Sequence, residues 1–157
     1  MHLSYRIVFP SRPSLVAFVL VPAMLIAFTG CGGRGVEQVK VTGKVTLDGG
    51  AMPGPGTLYF TPVNAPEGTP MRPGTAKFAA DGSYAAGSFE AGDGLFPGTY
   101  NVGVHCWEVS PNMEEVEAVS FIPGKYTNAS GSGLSVIVPS GSGAVQKDFQ
   151  LVSEPAP

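Results

Sequence analysis

Short stretches of the chain alternate between apolar and polar residues. In residues 39–47 and 99–107, every second residue is apolar or glycine, and most of the others are polar. A period of two is typical of a strand that buries one face. In the second stretch the alternation predicts a buried Cys106 and an exposed His105. The apolar side of the first stretch holds Val39, Val41, Gly43, Val45 and Leu47.

Runs of β-branched and aromatic residues recur between Gly- and Pro-rich turns. Most of the 22 glycines and 15 prolines lie between the runs, for example at 48–50 and 80–82, so they act as turn signals. Several short strands at such spacing predict an all-β fold, a single antiparallel two-sheet β-sandwich of about seven strands. The expected strands cover 39–47, 56–61, 75–79, 83–86, 99–107, 134–138 and 145–151.

One segment departs from the strand pattern. Residues 111–119 are the only helical candidate, with Asn112 in an N-cap position and Glu115 three residues later. Because the segment is barely two turns long, we expect either a short helix or an ordered loop there.

The N-terminal residues have the composition of a signal segment. Residues 1–14 carry two arginines and no acid, and residues 15–28 form an apolar run broken only by one proline. As a helix, this run would span roughly 21 Å, short of the ~30 Å hydrocarbon core of a bilayer. The small residues Thr29 and Gly30 then precede Cys31. Besides a signal peptide that is cut before Cys31, the alternatives are a signal peptide that is cut elsewhere and an uncleaved membrane anchor.

The motifs of the chain resemble one bacterial group. The run 28–32 (Phe-Thr-Gly-Cys-Gly) resembles the lipobox of bacterial lipoproteins, with Phe28 where leucine is usual. Later segments resemble, in their order, small lipoproteins of planctomycete-type bacteria described as carboxypeptidase-regulatory-like or transthyretin-like. These segments are 41–49 (VTGKVTLDG), 78–84 around Asp81-Gly82, 97–102 (PGTYNV), 122–128 (IPGKYTN) and 132–136 (SGLSV).

This resemblance implies a lipoprotein with a transthyretin-like or immunoglobulin-like sandwich. The signal peptide 1–30 would be removed, and Cys31 would carry the lipid as the first residue of the mature protein. A flexible tether (31–38), the sandwich domain (39–152) and a frayed tail (153–157) would follow. Peptidase activity is not implied, because in carboxypeptidases such a domain is an appendage. The loop 52–56 makes the expected first hairpin unusually rich in Pro and Gly.

Removing residues 1–30 changes the charge and the available chemistry. The remaining 127 of 157 residues are enough for one domain, and they carry seven Lys and Arg against twelve Asp and Glu, a net charge of −5. This charge argues against nucleic acid and against anionic lipid headgroups as partners. With Cys31 acylated, Cys106 has no disulfide partner, and His105 is the one histidine left. We therefore expect no disulfide scaffold, no metal site and no cofactor.

A few residues could carry chemistry. A catalytic triad would need His105, which no Gly-x-Ser-x-Gly elbow accompanies. Trp107 and Tyr126 are the aromatics expected to be partly exposed, and they could contact a sugar or a protein or simply close the end of the sandwich. Glu114, Glu115 and Glu117 form the one acidic cluster.

We therefore expect a non-catalytic, lipid-anchored protein of the bacterial envelope that acts as a binding or structural module. Its partners would be the membrane, through a palmitate-type lipid on Cys31, and an envelope protein or polysaccharide. The outer membrane is slightly favoured, because Gly32 stands where aspartate often signals inner-membrane retention. The alternative is a solute- or carbohydrate-binding protein or a hydrolase that uses end-loop residues near His105 and Trp107.

Overall fold

A computed structural model describes residues 36–111, 117–141 and 143–153 of the chain. Within these ranges the protein is all-β, with one short 3-10 helix, Gly124–Thr127. No helix in the described ranges has the length and apolarity needed to cross a bilayer. Cys31, most of the expected helix at 111–119 and the last four residues lie outside them.

The described residues form ten strands, where seven were expected. Two of the predicted strands, 99–107 and 145–151, each divide in two, and a short strand follows the undescribed residues 112–116. In chain order the strands are β1 (Lys40–Leu47), β2 (Gly56–Asn64), β3 (Gly74–Phe78), β4 (Ser83–Ala85), β5 (Gly98–His105), β6 (Trp107–Val109), β7 (Val119–Ser120), β8 (Ser135–Val138), β9 (Ala144–Gln146) and β10 (Phe149–Leu151).

The main sheet is mixed and curls toward a barrel. Its strands follow the order β10-β1-β4-β3-β2-β5-β8, with β9 beside β1, while β6 and β7 form a separate pair. The two outermost strands, β10 and β8, approach each other: residues 133–135 and 147–150 line the same small groove. The sheet is therefore nearly closed, which differs from the expected pair of antiparallel sheets.

The expectation of a purely antiparallel sheet was wrong for the C-terminal strands. Both β9 and β10 pair with β1 in parallel. More than a hundred residues separate Lys44 from Asp148, so no tight turn sets the relative direction of these strands. Between β9 and β10 the ladder is interrupted without a change of register. The Lys147 amide donates to the Thr42 carbonyl (2.8 Å), and the Asp148 carboxylate accepts from the Lys44 amide (2.8 Å).

The first hairpin of the prediction does not form, whereas the second does. β1 pairs with β4 and not with β2. After the turn at 48–50, Met52 is buried in the core, so the intervening loop is held against the domain and carries the chain away from β1. By contrast, β3 and β4 pair around Asp81, whose carboxylate accepts from the Ser83 amide and hydroxyl.

Strand directions give the domain two ends. β1, β3 and β5 run the same way, since each is separated from the next by one antiparallel neighbour. At the proximal end the chain enters through Val39, which exchanges two backbone hydrogen bonds with Leu95 (2.8 and 3.0 Å). The distal end holds the turns at 48–50 and 80–82 and the last residue of β5, His105.

The predicted apolar faces form a single core. Alternate residues of β1 and β5 are buried, as expected, and join one hydrophobic cluster. Three aromatic rings continue this cluster across the sheet: Phe60 and Tyr84 lie 6.2 Å apart, and Tyr84 and Phe149 lie 5.9 Å apart. The strand β10 therefore belongs to the core, although it is only three residues long.

We predict that Phe149→Ala lowers the free energy of unfolding by about 3–4 kcal/mol, because a buried ring is lost and a cavity remains. The adjacent exposed residue provides the control: Gln150→Ala should change it by no more than about 0.5 kcal/mol. Urea unfolding of the two variants gives the comparison. Equal midpoints for both would contradict the placement of β10 in the core.

Candidate functional site

His105 lies at the end of β5 and is half-buried instead of exposed. Its Nε2 lies 3.1 Å from the carbonyl oxygen of Thr127, the last residue of the 3-10 helix. This segment crosses the outer face of β5, where a side chain on Gly103 would meet Thr127 and Ala129. The strand alternation predicted the outward direction of His105 but not the segment that covers this face.

Three rings form a row on the outer surface. The rings of Tyr59 and His105 lie 4.7 Å apart between centroids, and those of His105 and Trp107 lie 5.5 Å apart at nearly a right angle. Tyr59 lies on β2. Thr57, two residues earlier on the same strand, is in register with His105 on β5. Edge-to-face and tilted pairs of this kind are favourable. We call Tyr59, His105 and Trp107 the aromatic row.

The aromatic row lines an open groove of about 400 Å³. Tyr59 is 43% exposed, and Trp107 is half-buried. Lys77 of the neighbouring strand β3 and Ser110 add an ammonium group and a hydroxyl to the lining. Aromatic faces with a few polar groups at the rim can hold a flat or ring-shaped polar ligand.

Sequence reasoning found two members of the row and missed the third. Tyr59 lies on the polar side of β2, opposite the buried Leu58 and Phe60, so it was readable as an outward aromatic. Its proximity to His105 depends on the pairing of β2 with β5, which alternation along one strand does not encode. The sequence therefore indicated that Tyr59 is exposed, but it did not indicate that Tyr59 contacts His105.

Tyr126 is not part of the groove, and the expectation that it is partly exposed was wrong. It is only 6% exposed, because the 3-10 helix turns this ring toward the core. Its hydroxyl oxygen accepts from the Val152 amide (3.0 Å), and the hydroxyl lies 3.5 Å from the Val152 carbonyl. Tyr126 thus ties the 3-10 helix to the residue that follows β10.

The described residues outside the groove provide little further chemistry. Glu114 and Glu115 lie outside the described ranges, and Glu117 is exposed. Among described residues, no group of three or more His, Cys, Asp and Glu side chains could hold a metal ion.

Cys106 is buried, as the alternation predicted. Its Sγ lies 3.5 Å from the Gly54 carbonyl, and His105 beside it points to the other face of the chain. Desolvation raises the pKa of the Cys106 thiol, an effect that the contact with Gly54 partly offsets. A thiol with a raised pKa and no solvent access is a poor nucleophile.

We predict that Cys106 in the folded Cys31→Ser chain reacts with a dithiobis-nitrobenzoate reagent at pH 8 about a hundredfold more slowly than the unfolded chain does. The raised pKa lowers the thiolate fraction at this pH, and burial blocks access. The same chain in urea is the control and should release one equivalent of thiolate product. Rapid reaction of the folded chain would show that Cys106 is an accessible thiol.

Comparison with known proteins adds no relative to this description. No protein-family model, no curated protein and no solved structure matches the chain. The function is therefore argued from the residues and from the geometry of the groove.

Proposed function

We propose that the protein is a lipid-anchored, non-catalytic binding module of the bacterial envelope, attached through Cys31 and binding through the groove at the aromatic row. The observation that carries this proposal is the separation of the chain's point of entry from the groove. Val39 joins the proximal end, and His105 lies at the distal end of β5. Eight residues of strand span about 25 Å, most of the length of such a domain.

The length of the tether supports this arrangement. Eight residues after Cys31, the chain reaches Val39, and a fully extended segment of this length spans at most ~28 Å. A lipid on Cys31 would keep the proximal end near the bilayer. The groove would then lie at the end of the domain that is away from the membrane, where an envelope partner could reach it.

The sequence resemblance and the charge agree with this proposal. The ordered motifs resemble those of small bacterial lipoproteins with a transthyretin-like domain, and we propose that the curled sheet is a form of their two-layer sandwich. Its inward residues meet in one core, as those of a sandwich do. A net charge of −5 after residue 30 disfavours nucleic acid as the partner. Gly32 slightly favours the outer membrane.

The surroundings of His105 support binding more than catalysis. In a hydrolytic triad, a carboxylate orients the histidine, and a nucleophile lies on its other side. Here the Nε2 of His105 faces a backbone carbonyl, and the rings of Tyr59 and Trp107 flank the imidazole. These contacts hold the imidazole in place as part of the groove surface.

The aromatic row favours carbohydrate as a second, more specific candidate ligand. Sugar rings present C–H groups that pack on aromatic faces, while their hydroxyls seek polar partners. Tyr59 and Trp107 provide such rings at the groove, and Lys77 and Ser110 provide polar groups. An envelope polysaccharide would meet both requirements.

We predict that a palmitate analogue labels the wild-type protein in bacterial cells and does not label Cys31→Ala, because the thiol of Cys31 is the attachment point in the proposal. Cys106→Ala is the matched control and should keep the label, since Cys106 is buried. Gel fluorescence after click attachment of a dye measures the incorporation. Equal labelling of the wild type and Cys31→Ala would reject the anchor.

We predict that soluble envelope oligosaccharides cause a saturable change in the emission of Trp107, the only tryptophan of the chain. Tyr59→Ala should weaken the apparent affinity about tenfold, because one stacking partner is lost. Phe121→Ala removes an exposed ring outside the groove and should leave the affinity unchanged. Unaltered binding by Tyr59→Ala would argue against the aromatic row as the site.

A further inference from the structure

The loop 87–94 at the proximal end presents an exposed aromatic ring. Phe89 is 63% exposed, and the guanidinium carbon of Arg72 lies 3.9 Å from the centre of its ring. Arg72 is itself held, because its Nε donates to the Ser88 carbonyl (3.0 Å). The ring centroids of Phe89 and Phe96 lie 6.0 Å apart, with the two rings at nearly a right angle. The loop therefore displays an apolar ring together with a cation.

The exposure of Phe89 is built into the loop. The Asp93 carboxylate accepts from the backbone amides of Ser88 (2.8 Å), Phe89 (3.1 Å) and Glu90 (3.1 Å). Desolvation raises the pKa of Asp93, but these hydrogen bonds outweigh it and hold the pKa below its ordinary value. The carboxylate thus stays charged and keeps the loop in one shape, so the ring is presented without a large ordering cost.

The same loop receives the incoming chain. The Gln38 side-chain amide donates to the Asp93 carboxylate (3.1 Å), and the Lys40 ammonium donates to the Gly92 carbonyl (2.6 Å). Asp93 therefore bonds both the backbone of Phe89 and the end of the tether. Phe89 therefore lies beside the point where the tether joins the domain.

Tether length and local charge indicate what covers this end. Gln38 lies seven residues after Cys31, so the chain between them reaches at most ~25 Å. An acylated Cys31 would therefore hold the loop close to a bilayer. Met71, beside Arg72 in the chain, is also exposed (56%). Arg72 and Lys40 flank the loop and could meet phosphates, while the exposed carboxylate of Glu90 lies beside Phe89 and partly offsets their charge.

We propose that the loop 87–94 docks on the lipid surface, with Phe89 inserted at the boundary between headgroups and acyl chains and Arg72 at the phosphates. The docking rests on the proposed lipid anchor and adds a second attachment to it. A second signal beside a lipid chain is what makes membrane attachment stable. It also orients the domain, so that the aromatic row lies at the end away from the bilayer.

Two alanines serve as matched reporter positions. Ala91 lies exposed in the loop, and Ala80 lies exposed in the turn at the other end of the β3–β4 hairpin. Each is changed to cysteine in the full chain, which is produced in bacteria, extracted in detergent and reconstituted into phosphatidylcholine–phosphatidylglycerol vesicles. A nitrobenzoxadiazole dye then labels the new thiol. The chain without an added cysteine gives the background from Cys106.

We expect the dye at Ala91→Cys to shift to the blue, to brighten about twofold and to be quenched by spin-labelled lipid, because it enters the interface. The dye at Ala80→Cys should stay water-like in the same vesicles. Adding Phe89→Ser should return the Ala91→Cys dye to its water-like emission. The control Phe121→Ser removes an exposed ring outside the loop and should leave the signal in place.

The outcomes separate the docking from the anchor. If palmitate labels the protein and it floats with vesicles, but the dye at Ala91→Cys remains water-like, the docking is overturned and the anchor stands. Equal blue shifts at Ala80→Cys and Ala91→Cys would also overturn the docking, because the domain would have no preferred end. If no palmitate is incorporated and the protein does not float, the anchor fails and the docking fails with it.

Discussion

The shape of the domain depends on how the C-terminal strand closes against β1. Gly43 faces inward in β1, in register with Tyr84 on β4, and the carbonyl of Lys147 occupies the place that its side chain would take. The Tyr84 hydroxyl donates to that carbonyl (2.6 Å). A partly buried carbonyl needs a partner, and only glycine leaves room for it here. This contact lets the chain pass from β9 to β10 while both strands keep the same parallel register beside β1.

The position of the candidate site follows from this closure through a short series of contacts. The segment 147–148 between β9 and β10 sets where β10 runs and where Val152 follows it. Val152 shares hydrogen bonds with Tyr126, which fixes the 3-10 helix across the outside of β5. The last residue of that helix, Thr127, presents its carbonyl to His105. The aromatic row is thus positioned from the closure of the sheet, although its rings lie on β2, β5 and β6.

The sequence predicted what depends on neighbours along the chain. Alternation identified the β1 and β5 faces and the burial of Cys106, and the turn at 80–82 identified the β3–β4 hairpin. It did not predict pairings between distant segments. The parallel direction of β10, the coverage of His105 and the burial of Tyr126 all depend on such pairings. For the same reason, Tyr59 was readable as exposed but not as a neighbour of His105.

The two ends of the domain show how one fold could separate the proposed attachment from the proposed binding. At the proximal end, Asp93 bonds Gln38 of the tether and the loop of Phe89 through one carboxylate, so the proposed anchor and the proposed lipid contact would share a single support. At the distal end, His105 and Trp107 lie on or just after β5, a strand that starts beside that loop. Because paired strands resist stretching and bending, the distance between the two sites is set by strand length. A lipid-anchored protein built this way would hold its groove at a fixed height above the membrane.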